Sequence, residues 1–436
     1  MSDFYENALI SGAKLFATAP MIDWSDRHYR YFARQLTKSA VLYTEMIVAD
    51  AILRGNRDRL LGYDTVEHPL ALQIGGSDPA KLAEAARIGA EFGYDEINLN
   101  VGCPSDRVQS GTFGACLMRE PQLVADCVAA MKAAVKIPVT VKCRIGVDDQ
   151  DPEVALRDLV ARVKAAGVDA VWVHARKAWL QGLSPKENRD IPPLDYALVR
   201  RLKAENPDLF IGLNGGLHTL EQAQAEIGRP GEALDGAMLG RAAYQDSAVL
   251  AGVDAVFAPA GIRSLDASPS AAVANGPLVR PTGSSSRREE GGRPRDAADG
   301  PPESVGDTHP LIGSGEACRA ARRGEGGVGA SAASEGSLVR HAPAPRGGEG
   351  RALSDAAFWE GVRDAMMVYA DGVVAGGGRL NHVTRHMVGL FQGFPGARRY
   401  RQILSADATR PGAGPEVIAA AFAAVLEAGA DRAAAE

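Results

Sequence analysis

From residue 14 to residue 245 the chain alternates short apolar runs with longer stretches whose apolar positions recur every three or four residues. The short runs predict strands and the longer stretches predict helices. The runs cover 15–22, 41–48, 69–74, 96–101, 139–145, 170–174, 210–214 and 234–239. Helical patterns lie between most of them, such as DPAKLAEAARIGAEFG from Asp78 and PEVALRDLVARVKAAG from Pro152. In the second, Val154, Leu159, Val160 and Val163 fall near helical spacing. Asp78 and Asp151 stand where helix N-caps belong, each followed by proline at the first helical position.

Strand–helix alternation implies a parallel sheet. Eight such units in about 230 residues predict an α/β fold, a closed (β/α)8 TIM barrel. The rival is an open doubly wound sheet. It would carry an early Gly-x-Gly-x-x-Gly after its first strand, and none is present. The alternation stops at 258–354, a stretch dense in Gly, Ala, Ser, Pro and Arg with no Phe, Tyr or Trp. Such a segment buries too little apolar surface to offset its ordering entropy, so it is expected to be a disordered insertion, with Cys318 inert inside it. Residues 355–436 then predict a small all-α domain of about four helices, in which Trp359, Val362, Met366 and Tyr369 share a face. The expected division is therefore a barrel over 1–257, the insertion, and a C-terminal helical domain.

Composition narrows the classes. No run of about 18 apolar residues suggests a membrane span. The N-terminus lacks a basic segment leading into an apolar one, so a cytoplasmic protein is expected. The five cysteines are odd in number and form no Cys-x-x-Cys pair, so neither a disulfide framework nor a metal site is expected. The net charge of −6 argues weakly against a nucleic-acid partner. Its distribution argues the other way. Between Gly372 and Ala406 there is no Asp or Glu, yet Arg379, Arg385, Arg398, Arg399 and Arg401 are joined by His382 and His386. That is the footprint of an RNA-binding surface, or of an ordinary solvated helix face.

In a barrel, the chemistry lies at the C-terminal ends of the strands. Cys103 stands at one such end between Gly102 and Pro104. It is either a thiol facing the mouth or a small buried residue; Cys116, Cys127 and Cys143 read as buried. After the seventh strand, Asn214, Gly215 and Gly216 are expected to open a helix; after the eighth come Gly240 and Arg241. Glycines let main-chain N–H groups approach an anion, and these two loops form the usual phosphate site of such barrels. Lys142 and His174, on the fifth and sixth strands, are charged or polar residues that rarely fill a barrel interior without a partner. Gln73, ending the third, offers a neutral donor and acceptor to a uracil-like edge such as a flavin's. Together these residues suit a phosphorylated cofactor, and FMN fits; the substrate stays open.

Several segments carry a resemblance: APMIDWSDRHYRYFARQL, YTEM, LQIGGSDP, NLNVGCPSDRVQSGTFGACLM, HARKAWLQGLSPKENRDIPPLDY, GLNGGL and MLGRAAYQ. They resemble the tRNA-dihydrouridine synthases, above all the branch acting on uridines 20 and 20a of the tRNA D-loop. The resemblance covers about residues 12–257 and 356–405. It implies FMN as cofactor, NADPH as reductant and tRNA as substrate. Pro20, Met21 and Ile22 would line the flavin, Gln73 and Lys142 would bond its polar edge, and His174, Asn214, Gly215, Gly216, Gly240 and Arg241 would hold its phosphate. The flavin N5 would deliver hydride to uracil C6, and Cys103 would protonate C5 as general acid. Asn100 would contact the uracil, while Lys186, Arg189, Arg398 and Arg401 would contact tRNA. The insertion departs from the family's short linker. A monomer is expected. Two other functions remain open: a small-molecule FMN barrel enzyme of the dihydroorotate dehydrogenase type, and a non-catalytic tRNA-binding chaperone.

Overall fold

A computed structural model describes residues 4–104, 113–257 and 355–435. The insertion expected at 258–354, Cys318 and the middle of the Cys103 segment (105–112) lie outside the described residues.

The predicted runs form nine parallel strands: β1 (Leu15–Thr18), β2 (Leu42–Tyr43), β3 (Ile47–Val48), β4 (Leu70–Gly75), β5 (Glu96–Val101), β6 (Val139–Arg144), β7 (Ala170–His174), β8 (Phe210–Asn214) and β9 (Gly236–Leu239). They hydrogen-bond in the order β1-β9-β8-β7-β6-β5-β4-β2, with β3 also on β4. A parallel bridge between Ala17 and Val41 closes the circle. This is the expected TIM barrel.

Two runs differ from the expectation. The first strand ends at Thr18 because Pro20 has no N–H to continue the ladder, and Ser25 then caps the turn through the Met21 N–H at 2.8 Å. The second is split. Tyr43 pairs with Ala71 and Ile47 with Ile74, so four steps on one strand face three on the other, a β-bulge. At the break the Gln73 N–H bonds the Thr44 hydroxyl at 3.0 Å.

Each strand shows its even and odd positions to different worlds. Outward residues such as Ile97, Leu99, Val141, Val171 and Ile211 pack under the surrounding helices. Inward residues divide by sector. Trp172, Phe210, Met238 and Leu15 make an apolar side, closed at the bottom by Tyr5 from the helix Phe4–Ser11. Gly212 exists for this packing: a Cβ there would lie 2.2 Å from the Trp172 ring. Across the lumen, β4, β5 and β6 turn Gln73, Glu96, Asn98, Asn100, Thr140, Lys142 and Arg144 inward. All are buried except Lys142, which is half-buried.

The capping expectations hold. Asp78 accepts from the Ala80 and Lys81 N–H groups to start Pro79–Phe92, and Asp151 accepts from Glu153 N–H to start Pro152–Ala165. The latter helix buries Leu156, Leu159, Val160 and Val163. Val154 is 65% exposed, because two residues before Leu156 is the opposite side of a helix with 3.6 residues per turn.

The C-terminal region contains helices Ala356–Ala375, Leu380–Thr384, Ala397–Ala406 and Glu416–Ala435. Phe391 is their centre, with ring contacts to Trp359 (5.1 Å), Tyr400 (5.0 Å) and Phe422 (5.4 Å). Burial of each such ring contributes about 1.5–3 kcal/mol. Trp359, Val362 and Met366 are buried as predicted, but Tyr369 reaches outward to the barrel helix Arg27–Leu36. It stacks on Tyr31 at 3.9 Å and bonds His28 Nδ1 at 2.9 Å.

Asp26, the N-cap of Arg27–Leu36, is the polar centre of this junction. Buried His386 contacts it at 3.0 Å, and Arg385 pairs with it at 2.5 Å. Burial alone would raise the Asp26 carboxyl, but His386 and the Tyr29 N–H hold it below the usual carboxylate range. Its contribution to stability is therefore present above about pH 4 and is lost as acid protonates it. Asp26→Asn should keep the cap but cost about 1–3 kcal/mol in denaturant unfolding at pH 7. The gap to wild type should narrow steadily below about pH 4.

Candidate active site

The last inward residue of each strand meets its neighbours at the C-terminal mouth. There they line a cavity of about 640 Å³. Its wall contains Cys103 and every residue expected to hold the cofactor: Pro20, Met21, Ile22, Gln73, Lys142, His174, Asn214, Gly215, Gly216, Gly240 and Arg241. Asn100 and Arg189 also line it. Lys186 is exposed on the loop after β7 and is not on this wall. Arg398 and Arg401 are exposed on Ala397–Ala406, whose other face buries Tyr400, Ile403 and Leu404.

The Cys103 turn is fixed from several directions. Asn100 Oδ1 accepts from the N–H groups of Gly102 and Cys103, each at 3.0 Å. Asn100 Nδ2 donates to Gln73 Oε1 at 2.8 Å. Arg144 Nε donates to the Gly102 carbonyl at 2.9 Å, and the Ala115 N–H to the Cys103 carbonyl at 2.9 Å. Of the two options for Cys103, the structure takes the cavity wall, with the residue half-buried. Cys127 and Cys143 are core residues, their thiols pushed up to about 12 by burial. Cys116 is only half-buried and donates to the Phe113 carbonyl at 2.9 Å.

On the neighbouring strand β6, Lys142 Nζ donates to Asn214 Oδ1 at 3.0 Å. Asn214 Nδ2 donates to the Met238 carbonyl at 2.7 Å, which fixes the amide with its oxygen toward the lysine. Burial, with help from the Arg144 charge, lowers the lysine to about 8. It still carries its proton at neutral pH. Burial and the same arginine hold His174 neutral, well below its ordinary value. His174 Nε2 is buried with no hydrogen-bond partner among the described residues.

Gly215 and Gly216 do not open a helix. They form a left-handed turn, φ +105° and +70°, and the helix begins at Leu220 with Thr219 as its N-cap. A Cβ on Gly215 would sit 2.6 Å from the His174 ring. The main chain thus reaches the cavity where a side chain would fill it. Gly240 leads directly into the short helix Arg241–Gln245. The Arg241 guanidinium is bonded to Asp190 at 2.7 Å, so an anion there would share it. A neutral imidazole with an orphaned nitrogen, a glycine cradle and a half-buried lysine fit a phosphorylated cofactor with a polar ring edge.

Two residues escaped the sequence analysis. Arg144 is buried and joins two loops, bonding Gly102, Lys177 (3.0 Å) and Asn188 (2.9 Å) carbonyls. Its signal was available: it lies two residues beyond Lys142, on the same strand face. Trp24 stands at the rim, stacked on Tyr244 with ring centroids 4.5 Å apart. Nothing in local periodicity marks it, because the contact spans the barrel's first and last loops. The basic stretch also needs correction. His386 is fully buried and Arg385 is paired with Asp26, so both serve the junction with the barrel.

A closed barrel whose mouth combines a thiol, a lysine and a glycine turn is that of an enzyme of the TIM-barrel class. The profile of the family described as dihydrouridine synthase (Dus) matches residues 17–268. A protein of Shewanella oneidensis called tRNA-dihydrouridine(20/20a) synthase is 44% identical over 412 residues, 94% of each chain. Bearers of the same name from Xanthomonas axonopodis pv. citri and Escherichia coli K12 are 44% and 42% identical, covering 92% of this chain and 91% and 89% of theirs. The chain belongs to the dihydrouridine synthase family, a family of oxidoreductases.

Arg144→Lys keeps the charge but loses the planar fork that reaches three carbonyls. It should lower unfolding stability by about 1.5–3 kcal/mol. Amide exchange should quicken in both the Cys103 turn and the loop after β7.

Proposed function

We propose that the protein is a monomeric cytoplasmic enzyme reducing the C5–C6 bond of uridine to 5,6-dihydrouridine at positions 20 and 20a of the tRNA D-loop, with FMN as cofactor and NADPH as reductant. The observation that carries it is one cavity lined by Cys103 and Lys142, at the ends of the paired strands β5 and β6, and by the glycine turn after β8. The names of the relatives support the substrate. Pro20, Met21 and Ile22 pack against the flavin ring. Gln73 and Lys142 bond its polar edge. His174, Asn214, Gly215, Gly216, Gly240 and Arg241 hold its phosphate tail. Bound there and reduced by NADPH, FMN supplies the hydride that uracil C6 receives.

The chain's own residues do the rest. Cys103 Sγ supplies the proton to uracil C5. The Asn100 amide, with one N–H left after its bond to Gln73, contacts the base. The target uridine must leave its stack to enter a mouth this narrow. Lys186 and Arg189 beside the mouth, with Arg398 and Arg401 on the helical region, bind the phosphate backbone and steady the tRNA while the base is out.

Purified protein should bind FMN and form dihydrouridine at positions 20 and 20a of tRNA transcripts, read by primer extension. Cys103→Ala should keep FMN and tRNA affinity while turnover falls by about 100-fold or more. A variant turning over at the wild-type rate removes the proposed proton donor. Arg398→Ala with Arg401→Ala should weaken tRNA binding and flatten its dependence on salt, with log Kd against log salt losing a slope of about 1–2. FMN content should not change.

A further inference from the structure

Glu96 is fully buried at the N-terminal start of β5, the end of the barrel away from the mouth. Four residues separate it from Asn100, about 13 Å along a strand. It touches none of the cavity. It is nevertheless joined to the mouth by an unbroken line of side-chain hydrogen bonds through the lumen. The Gly102 and Cys103 N–H groups donate to Asn100 Oδ1, and Asn100 Nδ2 to Gln73 Oε1 at 2.8 Å. Gln73 Nε2 donates to Asn98 Oδ1 at 2.8 Å, and Asn98 Nδ2 to Thr140 Oγ1 at 2.7 Å. The Thr140 hydroxyl donates to Glu96 Oε1. Tyr43 and Tyr5 also donate to the Glu96 carboxylate, at 2.5 and 2.8 Å.

Every donor in this line points the same way, and the direction is forced at both ends. A peptide N–H can only donate, so Asn100 must turn its oxygen toward the Cys103 turn. Glu96 receives the Tyr43, Tyr5 and Thr140 hydroxyls, so Thr140 spends its proton on Glu96 and leaves its lone pair for Asn98. The two amides between have no shape preference of their own. A flipped Gln73 fills the same volume but exchanges donor for acceptor at the cavity wall. Were Thr140 to donate to Asn98 instead, Asn98, Gln73 and Asn100 would reverse in turn. Asn100 would then set its NH2 against two peptide donors.

We propose that Glu96 is a positioning residue: from the closed end of the barrel it sets the polarity of the Thr140–Asn98–Gln73–Asn100 line, and so the orientation of the Gln73 amide and of the Cys103 turn. Its link to catalysis rests on the assignment of Gln73 and Cys103 to cofactor and base. Buried polar networks that are fully satisfied specify a single arrangement, and one broken link frees the rest.

The test uses two near-isosteric changes. Thr140→Val removes the relay hydroxyl. Glu96→Gln keeps the polarity, since its Oε1 can still accept from Thr140 and Tyr43 while its NH2 faces the Tyr5 oxygen. In flavin-free full-length protein, hydrogen exchange of the Gly102 and Cys103 amides should quicken by about fivefold or more in Thr140→Val and by less than about twofold in Glu96→Gln. In the loaded enzyme, kcat for tRNA should fall about tenfold in Thr140→Val with KM unchanged, and Glu96→Gln should stay within about twofold of wild type. A packing role for these residues predicts the reverse for the turn, because valine fills a strand position as well as threonine. Wild-type exchange in Thr140→Val overturns the proposal, as does a Glu96→Gln protein damaged as badly as Thr140→Val. The exchange measurement needs no cofactor, so a wild-type protein without activity would defeat the enzymatic assignment and leave the polar line to be judged on its own.

Discussion

Asn100 accepts both peptide N–H groups of the turn that carries Cys103, and the mouth is arranged around that pair of bonds. They hold the chain as it leaves β5, where the ladder has stopped satisfying backbone groups. Because the same amide donates to Gln73, the thiol-bearing turn and the third-strand glutamine are placed by one side chain. Arg144 reinforces the turn from β6 and ties it to the following loop. A cysteine in a glycine-proline turn is mobile by default. Here it is held on a rigid element, as the proposed proton transfer to a carbon atom would require.

The barrel interior explains why such polar groups are tolerated. One half of the lumen is filled by Trp172, Phe210 and Met238, with Gly212 cut back to admit the indole. The other half is polar, and its side chains bond one another rather than water. A buried polar group without a partner costs about 1–3 kcal/mol, so this sector is stable only when its links are complete. His174 Nε2 is the exception at the mouth, and it stands beside the glycine turn. Open valence among closed valence marks where a ligand belongs.

The helical region is joined to the barrel by charge and stacking together. Asp26 caps a barrel helix, draws in His386 and Arg385, and lies a few residues from Trp24 at the cavity rim. Tyr244 completes the set by stacking on Trp24 and bonding His386 at 3.0 Å. Surface that would contact RNA and surface that contacts the barrel thus come from the same stretch of sequence. Arg398 and Arg401 remain on the outer face, while His386 is spent within.

Much of this was legible in the sequence, because the information was local. Short apolar runs marked the strands and apolar positions every three or four residues the helices, Asp-Pro pairs marked two helix starts, and Cys103, Lys142 and His174 marked the mouth. What failed was whatever depended on partners distant in sequence. The bulge between β2 and β3 arises because Thr44 takes the ladder bond of Gln73, a residue on another strand. Gly215 and Gly216 make a turn rather than a helix start, with the His174 ring beside the first and Leu194 and Tyr196 beside the second. His386 left the basic surface, and Arg385 was paired at it, only when Asp26 came within reach. The chain's own order determined which residues face the lumen, since side-chain direction follows from one strand's geometry. Only closure of the sheet decided which of them touch, because hydrogen bonds form across strands, and their partners are set by register and distance in space.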